Sequence, residues 1–202
     1  LVGVDATGAL AAVFMDNAGA ISWDPRGRFD LLAAGETGFD TFNYMIADAN
    51  GGVGIGRVTL TVTGVNDAPI AGLDTATAEV NGPVVGIPVL ANDNDVDSDD
   101  DATTLRIVAA SAASGAIVTF SGVAGAGIVY DPRAVTAFEA LADGETLVDT
   151  VTYTIEDRHG AQSVGTLLVN VAGRNDAPTA TPDVANGNED VPLSVLVLAN
   201  DH

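Results

Sequence analysis

The residues with the most obvious chemical potential lie between Asn92 and Asp101, where six carboxylates fall within nine positions (93–101). Like charges packed this densely repel one another unless a cation or solvent comes between them. Asp93, Asp95, Asp97 and Asp99 alternate, and hard oxygen donors at that spacing suit Ca²⁺, which takes six to eight oxygens in a flexible shell. The beginning of the run matches an EF-hand loop, but the rest departs from it. Ser98 stands at the turn glycine, Thr104 stands at the bidentate glutamate, and strand-like segments rather than helices flank the loop. A solvated acidic loop between two strands is the alternative reading.

Other chemistry is scarce. The only histidines are His159, in a turn-forming Asp157-Arg158-His159-Gly160 segment, and His202. A histidine-based triad or a zinc centre is therefore not expected, and the chain reads as a non-enzyme. Carboxylate pairs are plentiful, but a sugar cleft usually needs aromatic platforms and Trp23 is the sole tryptophan. There is no lysine, so a phosphate-cradling loop ending in Lys is excluded. Twenty-eight acidic residues against seven arginines give a formal charge of −21. That charge disfavours nucleic acid and anionic membrane surfaces and favours cationic partners. With 47% apolar residues in regular alternation, the chain can still bury a core.

The elements that would position these groups are repeated. Val65-Asn66-Asp67-Ala68-Pro69 returns as Arg174-Asn175-Asp176-Ala177-Pro178, 109 residues later (174 − 65). Upstream, Trp23-Asp24-Pro25-Arg26 parallels Tyr130-Asp131-Pro132-Arg133, and Gly35-Glu36-Thr37 parallels Gly144-Glu145-Thr146. Tyr44 matches Tyr153 and Asp48 matches Asp157; downstream, Asp74 matches Asp183 and Leu90–Asp93 matches Leu198–Asp201. The expected organisation is the later part of one unit (1–65), a whole unit (66–174) and the opening of a third (175–202).

Within the whole unit the apolar period is 2, as in Val151, Tyr153 and Ile155 or Leu167, Val169 and Val171. Strands are expected at 76–80, 84–90, 104–110, 116–121, 126–130, 148–157 and 162–172, with a helical turn or two in 134–141. Seven short strands separated by turn signals predict an all-β, two-sheet antiparallel sandwich, repeated in tandem.

Residues 23–69 carry an aromatic-Asp-Pro, a Gly-Glu-Thr, a Phe-x-Tyr-x-x-x-Asp-x-x-Gly-Gly and a closing Val-x-Gly-x-Asn-Asp-Ala-Pro. On these motifs the chain resembles the VCBS-type, bacterial cadherin-like tandem repeats of giant secreted surface proteins. The resemblance implies an extracellular adhesin, in many cases exported by type I secretion, whose array is stiffened by calcium and whose partners include neighbouring repeats. It also implies that the linkers Asn66-Asp67 and Asn175-Asp176 share calcium between units. Here Gly64 and Gly173 stand where the linker of such proteins opens with Asp, and a rigid turn fixed by Pro is the alternative. A spacer and adhesive role ranks first. A carbohydrate- or protein-binding module using the irregular 111–127 stretch ranks second, and an accessory repeat of a secreted hydrolase third.

Overall fold

A computed structural model describes residues 1–201; His202 lies outside the described residues. Residues 66–173 form a sandwich around a single apolar core. One sheet holds β6 (Leu73–Glu79), β12 (Gln162–Ala172), β11 (Thr146–Glu156) and β8 (Arg106–Ala112), in that order. The other holds β7 (Val85–Ile87), β10 (Ile128–Asp131) and β9 (Ile117–Phe120). All seven expected strand regions contain a strand. Only 84–90 is divided, because Pro88 ends β7 and a 3₁₀ turn follows at Val89–Asn92. A short helix, Thr136–Glu139, lies in the segment with helical spacing.

Alternation explains the core. Val151, Tyr153 and Ile155 on β11 and Leu167, Val169 and Val171 on β12 all point inward and are fully buried. Each fully buried side chain of this size contributes roughly 1.5–3 kcal/mol relative to remaining in water.

One pairing differs from the antiparallel expectation. β6 runs parallel to β12, with Leu73 opposite Thr166 and Glu79 opposite Ala172, whereas the other ladders are antiparallel. The first and last strands of the unit thus point the same way. The chain enters at one end and leaves at the other, as a head-to-tail array requires.

Residues 1–63 repeat the later strands of this plan. β4 (Thr37–Ala47) and β5 (Val53–Thr63) form the long hairpin equivalent to β11–β12. β1 (Gly3–Asp5) flanks β4, and β2 (Ala12–Met15) pairs with β3 (Ile21–Asp24).

The repeated aromatic and the repeated aspartate form a shared anchor. Buried Asp149 accepts hydrogen bonds from Tyr130 Oη (2.7 Å), Ser114 Oγ (2.5 Å) and Ser114 N (3.1 Å). In the first unit Asp40 accepts from Trp23 Nε1 (2.8 Å) and from the amides of Leu10, Ala11 and Thr41. Burial opposes ionisation of Asp40, but these donors outweigh it and hold its carboxyl below the usual range. Trp23 and Tyr130 are structural pins joining the sheets.

Candidate metal centre at the unit junction

The linker leaving β5 runs past the chain that precedes β4. Gly64 N–H donates to Glu36 O at 2.8 Å, and Gly35 N–H donates to Gly64 O at 3.1 Å. A Cβ at Gly64 would lie 2.2 Å from Leu32 O and 2.3 Å from Ala33 O, so no side chain fits. This close approach is the physical reason for glycine at this position. It also brings Glu36 to the junction.

Beyond Gly64 the linker meets the acidic loop. Asp67 N–H donates to Asp97 Oδ2 at 2.9 Å, and Asn66 Nδ2 donates to Asp157 Oδ2 at 2.8 Å. Asp157 opens the β11–β12 hairpin turn, its other oxygen taking the amides of His159, Gly160 and Ala161 at 2.6–2.9 Å. Ser98 spans the units, its hydroxyl donating to Glu36 Oε2 at 2.9 Å and its amide to Leu31 O at 3.0 Å. Glu36 Oε2 also accepts from Ala33 N–H at 3.1 Å, which fixes the carboxylate at the end of its own unit.

The junction contains more negative charge than its neighbours can satisfy. Asn66 Oδ1, Asp95 Oδ2, Asp97 Oδ1, Asp99 Oδ1 and Asp100 Oδ2 are buried without a hydrogen-bond partner. Asp97 is 2% exposed and Asp100 7%. Burial raises the affinity of Asp95 for a proton, and the charges of Asp97 and Asp100 act in the same direction against the hydrogen bond from the Asp97 amide. The cations at hand are few: Arg158 Nε lies 3.8 Å from Asp100 and His159 Nε2 lies 3.0 Å from Asp99. The hydrogen bond to Asp99 is the main reason His159 holds its proton above the usual histidine range. One ligand atom each from Asp99, Asp100 and His159 lies within 4.8 Å of the others. Orphaned buried oxygens on carboxylates are costly, and an oxygen-seeking cation is the natural counter-charge.

The structure therefore gathers Asn66, Asp67, Asp95, Asp97 and Asp99. It adds Glu36, Asp100 and Asp157, whose roles were hidden in the sequence inside a Gly-Glu-Thr motif, a charge run and a hairpin turn. Glu36 recurs as Glu145 and Asp157 as Asp48, and that recurrence was the available signal for those two. Asp93 faces elsewhere: it accepts from Gly72 N–H at 2.7 Å and sits beside Asp74, which takes the Tyr153 hydroxyl at 2.6 Å. Asn175 and Asp176 are exposed at the far end of the unit. Asn175 Nδ2 bonds Asp176 O at 3.2 Å, and Asn81 Nδ2 donates to Asp176 Oδ1 at 3.2 Å.

A family model described as a bacterial cadherin-like domain matches residues 66–173, more than half of the chain. The chain belongs to the bacterial cadherin-like domain family. No curated protein sequence matches it. Among solved structures, Drosophila N-cadherin EC1-4 is similar at 18% identity, covering 88% of this chain and 43% of that one, with a TM-score of 0.51. Mouse cadherin-23 EC22-24 gives 17% identity, 84% and 51% coverage and a TM-score of 0.43. Protocadherin gamma B7 extracellular cadherin domains 1–4 gives 16%, 94%, 46% and 0.42. The chain spans about half or less of the length of these structures, and at such identities the likeness is one of fold. The complete cadherin-like unit and its preceding neighbour thus meet at the cluster just described. Among the described residues, no helix is long and apolar enough to cross a membrane.

Proposed function

We propose that this chain is a non-catalytic spacer from an extracellular adhesive surface protein, and that calcium at the unit junction sets its stiffness. The observation that carries this reading is the set of five buried, donor-free oxygens between the linker, the acidic loop and the preceding unit. An all-oxygen, carboxylate-rich donor set favours Ca²⁺ over softer metals. Glu36, Asn66, Asp67, Asp95, Asp97, Asp99, Asp100 and Asp157 would hold the ion or ions, which supply the positive charge the cluster lacks. Because Glu36 belongs to one unit and the aspartates to the next, occupancy would lock the angle between them.

Family membership supports an adhesion-related, extracellular setting. Type I secretion and attachment within biofilms extend that reading. The parallel first and last strands support a linear array acting as a stalk. Thermal melting and small-angle scattering in chelator and in millimolar calcium test the proposal. A ligand bound only by the folded state adds about 2.7 kcal/mol at a hundredfold excess over Kd. Calcium should raise the melting temperature and narrow the distribution of lengths; identical curves would refute the reading.

A further inference from the structure

The hairpin turn at the junction carries a side chain that the turn itself does not need. Asp157 opens it and takes the amides of His159 and Ala161 at 2.8 and 2.9 Å. In the preceding unit Asp48 opens the equivalent turn and takes the amides of Asn50 and Gly52, both at 2.8 Å. Gly160 and Gly51 supply the positive φ in each, 94° and 87°. The same turn thus forms with asparagine where the complete unit has His159. The imidazole is free for another role, and the pinned turn fixes where it stands.

It stands against carboxylates. His159 Nε2 lies 3.0 Å from Asp99 Oδ2, and one ligand atom each from Asp99, Asp100 and His159 lies within 4.8 Å of the others. Asp100 is 7% exposed. Its Oδ1 takes the Thr104 hydroxyl at 2.7 Å, while its Oδ2 is buried without a donor, as is Asp99 Oδ1. An imidazolium would offer a single N–H here, to Asp99 Oδ2, and would leave both orphaned oxygens as they are. Arg158 Nε stays 3.8 Å from Asp100 Oδ1. The side chains of Asp99 and His159 are 33% and 35% exposed, so the group opens to water on one side and leaves room for a solvent ligand.

We propose that His159, Asp99 and Asp100 form a site for a borderline transition-metal ion, with Zn²⁺ as its representative. An imidazole nitrogen suits zinc, whereas calcium takes oxygen. Two zinc ligands, each at about 2.0–2.1 Å from the ion, stand about 3.3 Å apart at the tetrahedral angle. His159 Nε2 and Asp99 Oδ2 are therefore already close to a chelating separation. Rotation of the Asp100 carboxylate supplies a third ligand and water the fourth. The ion takes the place of the Nε2 proton, and its two charges then offset both carboxylates. Asp99 and Asp100 also belong to the calcium set proposed above, so on that reading zinc and calcium compete for them.

Calorimetry of zinc binding to the calcium-free chain at pH 8 tests the site without reference to calcium. One zinc per chain is expected, and cobalt in its place should give visible absorption bands and a paramagnetically shifted imidazole resonance. His159→Asn installs the residue of the equivalent turn, so the fold is kept. It should lower zinc affinity by more than about tenfold and leave the calcium-induced melting shift intact. His202→Asn should bind zinc as the natural chain does. Absence of zinc binding, equal zinc affinity in His159→Asn, or loss of binding in His202→Asn instead would each overturn the site. Zinc affinity that saturating calcium does not lower would overturn the competition. A chain that binds zinc through His159 yet melts identically in chelator and in calcium would refute the calcium reading alone.

Discussion

Ser98 and Glu36 lie 62 residues apart, yet the serine hydroxyl donates to the glutamate carboxylate at 2.9 Å, joining two repeat units side chain to side chain. Glu36 is held on its own side by the Ala33 amide and by the Gly64 amide at its carbonyl. Its position is therefore held from within its own unit, which makes it a preorganised ligand at the boundary.

Glu36→Gln should weaken calcium binding by about tenfold, or about 1.4 kcal/mol, since it removes one full ligand charge while keeping the shape. Ser98→Ala removes only the link between the units. It should leave calcium affinity within about threefold, which is under 1 kcal/mol, and broaden the interunit angle in chelator. Calorimetry reads the first effect and scattering the second. Equal affinity in the Glu36→Gln variant and the natural sequence would place the ion away from the boundary.

Asp95→Asn combined with Asp97→Asn removes two charges from the centre of the cluster. The chelated protein should melt slightly higher, because the burial and repulsion that push Asp95 up are relieved. Calcium affinity should fall by more than tenfold, and the melting shift between chelator and calcium should nearly vanish. A normal calcium shift in this variant would assign binding to other residues.

Asp149→Ala should be the most damaging single change outside the junction. It strands the fully buried Tyr130 hydroxyl and the Ser114 hydroxyl and opens a void between the sheets. Leaving buried polar groups unpaired costs about 1–3 kcal/mol each, so a loss of about 3 kcal/mol or more is expected in urea unfolding. Tyr130→Phe leaves Asp149 with its Ser114 donors and should cost nearer 1 kcal/mol. A loss below 1 kcal/mol for Asp149→Ala would show that the anchor contributes little.

The strands were legible because half-buried strands alternate, and Val151, Tyr153 and Ile155 or Leu167, Val169 and Val171 reveal their faces without knowledge of partners. The parallel course of β6 was not, since direction depends on which sheet the chain crosses to, and alternation carries no direction. In the junction, the charge density of the acidic loop was visible and so were the linker motifs. What sequence could not convey was aim. Asp93 shares the alternation of Asp95 and Asp97, but the 3₁₀ turn before it rotates its carboxylate toward Gly72 and Asp74. Glu36 and Asp157 come from 30 or more residues away on either side, and only the fold brings them to the loop.

That rotation gives Asp93 a pH signature of its own. Burial, reinforced by the charge of Asp74, pushes its carboxyl up to about 6 against the bond from Gly72, from an ordinary value of 3.8. Asp74 is shifted in the same direction, chiefly by burial. In the interval between those values these two groups bind more protons in the folded state than in the unfolded one, so their contribution to stability falls as pH rises from about 4 to about 6 and then levels off. A shift of this size corresponds to a few kcal/mol at most, and on the order of 2 kcal/mol is expected with residual solvation. Asp93→Asn keeps the oxygen that accepts from Gly72 and cannot ionise. In chelator it should flatten the fall between pH 4 and pH 6 and exceed the natural chain in stability at pH 7. Urea unfolding across that range would decide it. An equal slope in both proteins would mean that the Asp93 carboxylate finds water or a counter-charge in solution.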